Sequence, residues 1–193
     1  MNEFLTFFKL GLNHVLDLSD YDHMLFLLVL TVAYTFKDWK RVFWLVTVFT
    51  IGHTISLILA TYGAVSFSEN AIRLLIYITI VITALYNIFT AGKTSNKTKI
   101  VLLLVAALFF GLIHGLGFAS HFKFITSGFE SKLLPMLEFA LGVEAAQIII
   151  VLVVLVVSFI FQTIFRFNKR DWIMVISAIV LGIAIHIIDM NYI

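Results

Sequence analysis

The chain has 193 residues, 62% of them hydrophobic and 12% charged, with a mean hydropathy of +1.08. A soluble domain carries about 25% charged residues, so this composition excludes a soluble globular protein and a disordered chain, and a net charge of +2 leaves no phosphate-tracking surface for nucleic acid. Cysteine is absent, so there are no disulfides or thiolate ligands, and any metal must be held by imidazole and oxygen.

In chain order, seven apolar segments are predicted. The first, residues 3–16, is short and interrupted by Lys9, Asn13 and His14. It lacks a basic leader region and a small-residue cleavage site, and reads as a retained helix. The second, residues 22–36, is short too, and the two are expected to pack as a hairpin of tilted or half-length helices. Segments at 42–61, 71–90, 100–120, 134–161 and 172–189 follow, each close to the roughly 20 residues that span a bilayer. No alternating strand pattern appears, which disfavours a barrel, and only helices or closed barrels satisfy the backbone in lipid. The expected fold is an all-α integral membrane bundle of about seven transmembrane helices, the first one or two short, forming one polytopic domain over residues 1–193.

The loops give the orientation. Lys37, Lys40 and Arg41 follow the second segment, Lys93, Lys97 and Lys99 the fourth, and Arg166, Lys169 and Arg170 the sixth: nine of the thirteen basic residues in three alternate loops. The opposite loops are acid-leaning, with Asp17, Asp20, Asp22, Glu69 and Glu130. The positive-inside rule puts the basic loops in the cytoplasm. The chain is therefore read as a multi-pass protein of the inner (cytoplasmic) membrane, N-terminus inside and C-terminus outside if there are seven spans. Trp39, Trp44 and Trp172, near the basic loops, read as an interfacial belt.

Ionisable residues inside membrane segments are costly and mark function. Five of the six histidines lie in or at the ends of the segments. At about 1.5 Å per residue, His14 and Asp17 close the first segment on the outer side, and Asp22 and His23 open the second from that side. His53 lies roughly 12 Å, His114 roughly 9 Å, Glu144 roughly 15 Å and His186 roughly 5 Å below the outer ends of their segments. Six segments thus send imidazole or carboxylate to the outer half. His14 with Asp17, Glu144 with Gln147, and His186 with Asp189 are i,i+3 pairs on one helix face, able to supply two ligands or a ligand and its orienting partner. Thr50 and Ser56 flank His53 at i±3 and offer a purely local satisfaction for it. His121, beside Lys123, reads as a solvated loop residue. Glu144 has no basic neighbour in sequence, so it is either protonated or bound to a cation. The glycines at 111, 115 and 117 around His114 allow close helix approach. Imidazole with carboxylate suits nickel, cobalt, zinc, iron or manganese better than copper(I). The candidate ligands are His14, Asp22, His23, His53, His114 and Glu144, with Asp17, Gln147, His186 and Asp189 as possible additions.

The stretches GLNHVLDLSDYDHMLFLL, FTIGHTISL, FGLIHGLGFA and FALGVEAAQ resemble the successive motifs of the HupE/UreJ membrane proteins. The resemblance covers residues 11–147. It implies a nickel or cobalt permease serving metalloenzyme maturation, with the first motif on His14, Asp22 and His23, the later histidines on His53 and His114, and the acid on Glu144. The gap after His14 is about two residues longer than that motif's.

Two functions fit. One is a divalent-metal permease: a nickel or cobalt ion enters the acid-lined outer mouth, is partly dehydrated by the His/carboxylate site and leaves inward, driven by membrane potential or protons, with Glu144 as a proton-exchange group. The other is an intramembrane zinc-dependent hydrolase of a lipid-like substrate, with three histidines on the metal and a carboxylate base. The inner halves of the segments read as almost wholly apolar, which favours an enzyme or an inward-closed permease. In both readings the partners are a metal ion and the bilayer, with no nucleic acid.

Overall fold

The computed structural model describes residues 3–18, 21–93 and 97–192. Among them are eight α-helices: α1 (Glu3–Leu16), α2 (Asp22–Thr31), α3 (Trp39–Thr61), α4 (Glu69–Thr90), α5 (Lys97–Gly117), α6 (Ala119–Ile125), α7 (Leu133–Phe159) and α8 (Lys169–Tyr192). A 3-10 turn, Phe36–Asp38, precedes α3, and a π turn, Ile160–Ile164, ends α7. Five helical stretches are long and apolar enough to cross a membrane: Phe36–Thr61, Glu69–Thr90, Ile100–Gly117, Leu133–Ile164 and Lys169–Tyr192. The chain is an integral membrane helix bundle. Asp20, expected as a solvated loop acid, lies outside the described residues.

The first two helices are half-length and do not form the expected hairpin. At 1.5 Å per residue, α1 is about 21 Å long and α2 about 15 Å, against a hydrocarbon core of about 30 Å. α1 packs on α7, while α2 packs on α4 and α7. Phe7 touches Phe122 and Phe129, with ring centroids 6.1 and 5.5 Å away, beside the polar α6–α7 loop. His14, two turns further on, reaches Phe139 inside α7. α1 therefore runs in the same direction as α7. At the other end of α2, Val32 is buried against Trp172 and Ile173 at the start of α8. α2 thus continues in the direction of α1 instead of turning back, with a break between Leu16 and Asp22. α2 stops at Thr31 although its apolar run continues, because Thr35 and Asp38 form a capping box that starts the next helix. The Asn87 side-chain amide donates to the Val29 carbonyl at 2.6 Å and fixes the lower half of α2 to α4.

Trp172 is not part of an interfacial belt. It is 5% exposed and stacks on Phe161 at 5.0 Å. Trp39 and Trp44 are exposed, as a belt requires.

Two helix pairs meet backbone to backbone through glycine. A Cβ on Gly11 would strike the Phe139 carbonyl of α7, and one on Gly142 the Phe8 carbonyl of α1. In the same way Gly52 faces the Leu108 carbonyl of α5, and Gly111 the Phe49 carbonyl of α3. Backbone cannot swing aside as a side chain can. Gly142→Ala should therefore cost about 1–3 kcal/mol, read as a lowered melting temperature in detergent. Gly182→Ala should be neutral or better, because nothing lies within 4 Å of the added carbon.

Candidate metal centre

The break between α1 and α2 places two histidines face to face. His14 ends α1 and His23 sits in the first turn of α2, with ring centroids 4.6 Å apart. His53, from the middle of α3, comes within 6.0 Å of each ring. His114, in the last turn of α5, lies 5.3 Å from His23. Ligand atoms of His14, His23 and His53 all fall within 4.8 Å of one another. Three imidazole nitrogens on one ion at 2.0–2.1 Å sit about 3.4 Å apart, so small side-chain shifts close the group around a metal.

Local hydrogen bonds orient two of these rings. His23 Nδ1–H donates to Asp22 Oδ1 at 2.6 Å, and the same oxygen accepts the His23 backbone N–H at 2.6 Å. A histidine held through Nδ1 by a carboxylate presents Nε2 as a ligand of raised basicity. His114 Nδ1–H donates to the Phe110 carbonyl, one turn back on its own helix, at 2.8 Å. Its Nε2 then carries the lone pair.

The remaining ring nitrogens are the main anomaly. His14 Nε2, both nitrogens of His53 and His114 Nε2 are buried without a hydrogen-bond partner. An unmade hydrogen bond on a buried polar atom costs about 1–3 kcal/mol. A cation among them would take one lone pair from each of the three rings and leave only the His53 N–H to be satisfied otherwise. Local satisfaction of His53 by Thr50 and Ser56 does not occur. The Ser56 hydroxyl donates to the His53 carbonyl, and Thr50 Oγ1 lies 3.0 Å from the Gln147 side-chain amide.

Phe118 packs 4.2 Å from the His14 ring, and Phe139 lies 6.2 Å from His53. Phe26 and Phe49, both 0% exposed, floor the cluster at 5.1 and 5.0 Å from His114. Above it opens a cavity of about 300 Å³, lined in part by His14, Asp17, Asp22, His23 and His114 and rimmed by Glu69, Arg73 and His121. His121 is exposed on the short helix α6 rather than in a loop, with its ring against Phe118.

Glu144 stands apart from the histidines. It accepts a hydrogen bond from Thr47 Oγ1 at 2.5 Å, and its other oxygen is buried without a partner. With Thr50–Gln147 this makes a polar seam between α3 and α7. Thr50 and Thr47 lie one and two turns below His53, about 4.5 and 9 Å. The lower half is thus less apolar than expected. Buried Thr31, Thr83 and Asn87 also lie there, and a second cavity of about 510 Å³ opens at the end of the bundle that carries the basic loops. His186 and Asp189 are exposed on α8, which packs on α4 and lies outside the cluster.

Sequence reasoning missed Thr47, the phenylalanine floor and one repeated pattern. Gly11-Leu-x-His14 on α1 and Gly111-Leu-x-His114 on α5 are the same four-residue turn. Each uses its glycine to touch a partner helix and its histidine, three residues on, to reach the centre.

No curated protein and no solved structure matches the chain. A family model described as HupE / UreJ protein matches residues 1–190, nearly the whole chain and every helix that supplies a histidine to the cluster. The chain belongs to the HupE/UreJ family.

Proposed function

We propose that the chain is a permease for a divalent transition-metal ion, nickel or cobalt, with His14, His23 and His53 as its ligands, His114 beside them and Asp22 orienting His23. The observation that carries this reading is the pair of cavities entering from opposite ends. Along α2 the upper cavity reaches His23 and the lower one begins at Val29, about 9 Å apart. Along α4 the gap runs from Ile76 to Thr83, about 10 Å. A binding cluster at the foot of one cavity, with a phenylalanine layer between it and the other, is the layout of a carrier closed on one side. Borderline imidazole ligands suit nickel and cobalt.

The hydrolase reading is less well supported. It needs a carboxylate base beside the metal. Asp22 is committed to His23, and Glu144 lies with Thr47.

The membrane is the cytoplasmic one, and the basic loops face the cytoplasm. With α1 and α2 as halves of one crossing there are six crossings, not seven. Both chain ends then lie outside, which replaces the N-inside orientation derived from seven spans.

The test is uptake of nickel(II) and cobalt(II) into proteoliposomes of the purified chain. Accumulation above protein-free vesicles supports the reading. Tight binding without uptake under any imposed potential or pH gradient would remove it. Binding itself should depend on pH. A ligand imidazole must be neutral, and its reference pKa is about 6.5. Metal and proton compete for the same nitrogens, so affinity is full at neutral pH and is lost in acid, once those nitrogens are protonated. Calorimetric titrations at the two extremes measure this, and equal affinity at both would speak against imidazole ligands.

A further inference from the structure

The cavity at the basic end has a chemistry of its own. Four helix ends meet there: the foot of α2, the start of α3, the end of α4 and the start of α8. Two are N-termini and two are C-termini, so their dipoles largely cancel and side-chain charge decides what the cavity attracts. Its walls carry Arg41, Lys93, Lys169 and Arg170 against one carboxylate, Asp38. That carboxylate is already engaged. Its Oδ2 accepts from the Thr35 hydroxyl and backbone N–H, and its Oδ1 lies 3.6 Å from Arg41.

Packing holds the cations at the opening. Gly92 turns the chain after α4 with φ +82°, and the Arg170 stem lies over it, so that a Cβ there would be 3.3 Å from Arg170 Cδ. Arg170 is thereby set beside Lys93. Asn168 Oδ1 accepts the Arg170 backbone N–H at 2.9 Å and fixes the first turn of α8. Away from the cations the lining mixes Leu30, Leu103 and Ile173 with Thr83, Tyr86 and Asn87. Cationic groups at the mouth over a mixed neutral lining match a phosphate ester. The anionic oxygens meet the guanidinium and ammonium groups, and the less polar part points inward.

We propose that this cavity binds a phosphate-bearing anion, supplied either as the headgroup of an anionic membrane lipid or as a free phosphate. The cavity is the one the permease reading takes as its lower mouth, but the inference rests on the charged lining and not on the histidine cluster.

The experiment uses the full chain, delipidated in detergent and titrated separately with phosphatidylglycerol, phosphatidylcholine and inorganic phosphate, with native mass spectrometry counting bound molecules. Phosphatidylglycerol should bind at least tenfold more tightly than phosphatidylcholine. The double variant K169Q/R170Q should weaken it roughly 30-fold, at about fivefold per cation near a membrane surface. The control K37Q/R166Q removes two cations at the same end but outside the cavity, and should weaken it less than threefold. All four side chains are exposed, and an unchanged thermal melt of each variant reports an intact fold. Phosphatidylglycerol that millimolar phosphate does not displace identifies the lipid as the source. Displacement, with phosphate itself binding, identifies the free anion. Equal retention of both lipids without phosphate binding overturns the proposal, as does an equal loss in the control and the cavity variant.

Discussion

Replacing His53 with alanine should lower nickel affinity by more than 100-fold. Changes to groups that only orient a ligand cost about 10–100-fold, and loss of a ligand costs more. His53 suits the test because neither of its ring nitrogens has a partner within the protein, so the substitution breaks no internal side-chain hydrogen bond. It does leave a small buried void, and His53→Asn, which fills part of that space, separates ligation from packing. Both variants should lose the metal. His121→Ala, exposed on α6, and His186→Ala, exposed on α8, should bind within about twofold of the parent, a change below 0.5 kcal/mol. Equilibrium dialysis with nickel(II), alongside thermal melts, measures all four. Normal binding by both His53 variants would show that the metal sits elsewhere.

Glu144→Gln should leave nickel binding within a few fold and reduce uptake by at least tenfold. Glutamine keeps the volume and can still accept from Thr47, but it removes the negative charge and the exchangeable proton. Glu144 lies below the histidines on the way to the basic end, so its charge affects passage more than capture. In a hydrolase, with this carboxylate as base, the same variant would bind zinc and lose turnover of a lipid ester. Binding, uptake and hydrolysis measured on one preparation separate the two. Full uptake by Glu144→Gln would exclude the residue from the path.

The long helices were legible because hydropathy alone sets them. The first helix was placed at residues 3–16 and is Glu3–Leu16. The histidines were legible as a group because charge-capable residues inside lipid are expensive wherever they occur. What periodicity could not give was tertiary. A half-length helix reads alike in a hairpin and in a broken run, and only the contact of Phe7 with Phe129 decides between them. Phe26, Phe49, Phe118 and Phe139 are four of twenty phenylalanines, and nothing local marks them as the walls of a polar site. His121 read as loop because it follows the end of the apolar run at residue 120 and neighbours Lys123, yet burial of Phe122 winds this turn into α6. Rise per residue grouped Glu144 with the histidines in the outer half, but rise says nothing about azimuth, and its side chain turns to Thr47 below them.

The two glycine-locked pairs have a consequence for motion. α1 and α7 descend from the acidic end, and α3 and α5 ascend toward it, yet each pair closes by the same backbone contact, and α1 and α5 each carry the same Gly-Leu-x-His turn. The two pairs thus run in opposite directions and each is locked within itself. Backbone seated on backbone cannot slide, so relative movement of the pairs would shear the contacts between them. The shear falls on the α3–α7 seam, where the Thr47–Glu144 and Thr50–Gln147 contacts are few and polar. In the proposed permease Glu144 would therefore join the two pairs across this seam, and not only place a charge below the histidines.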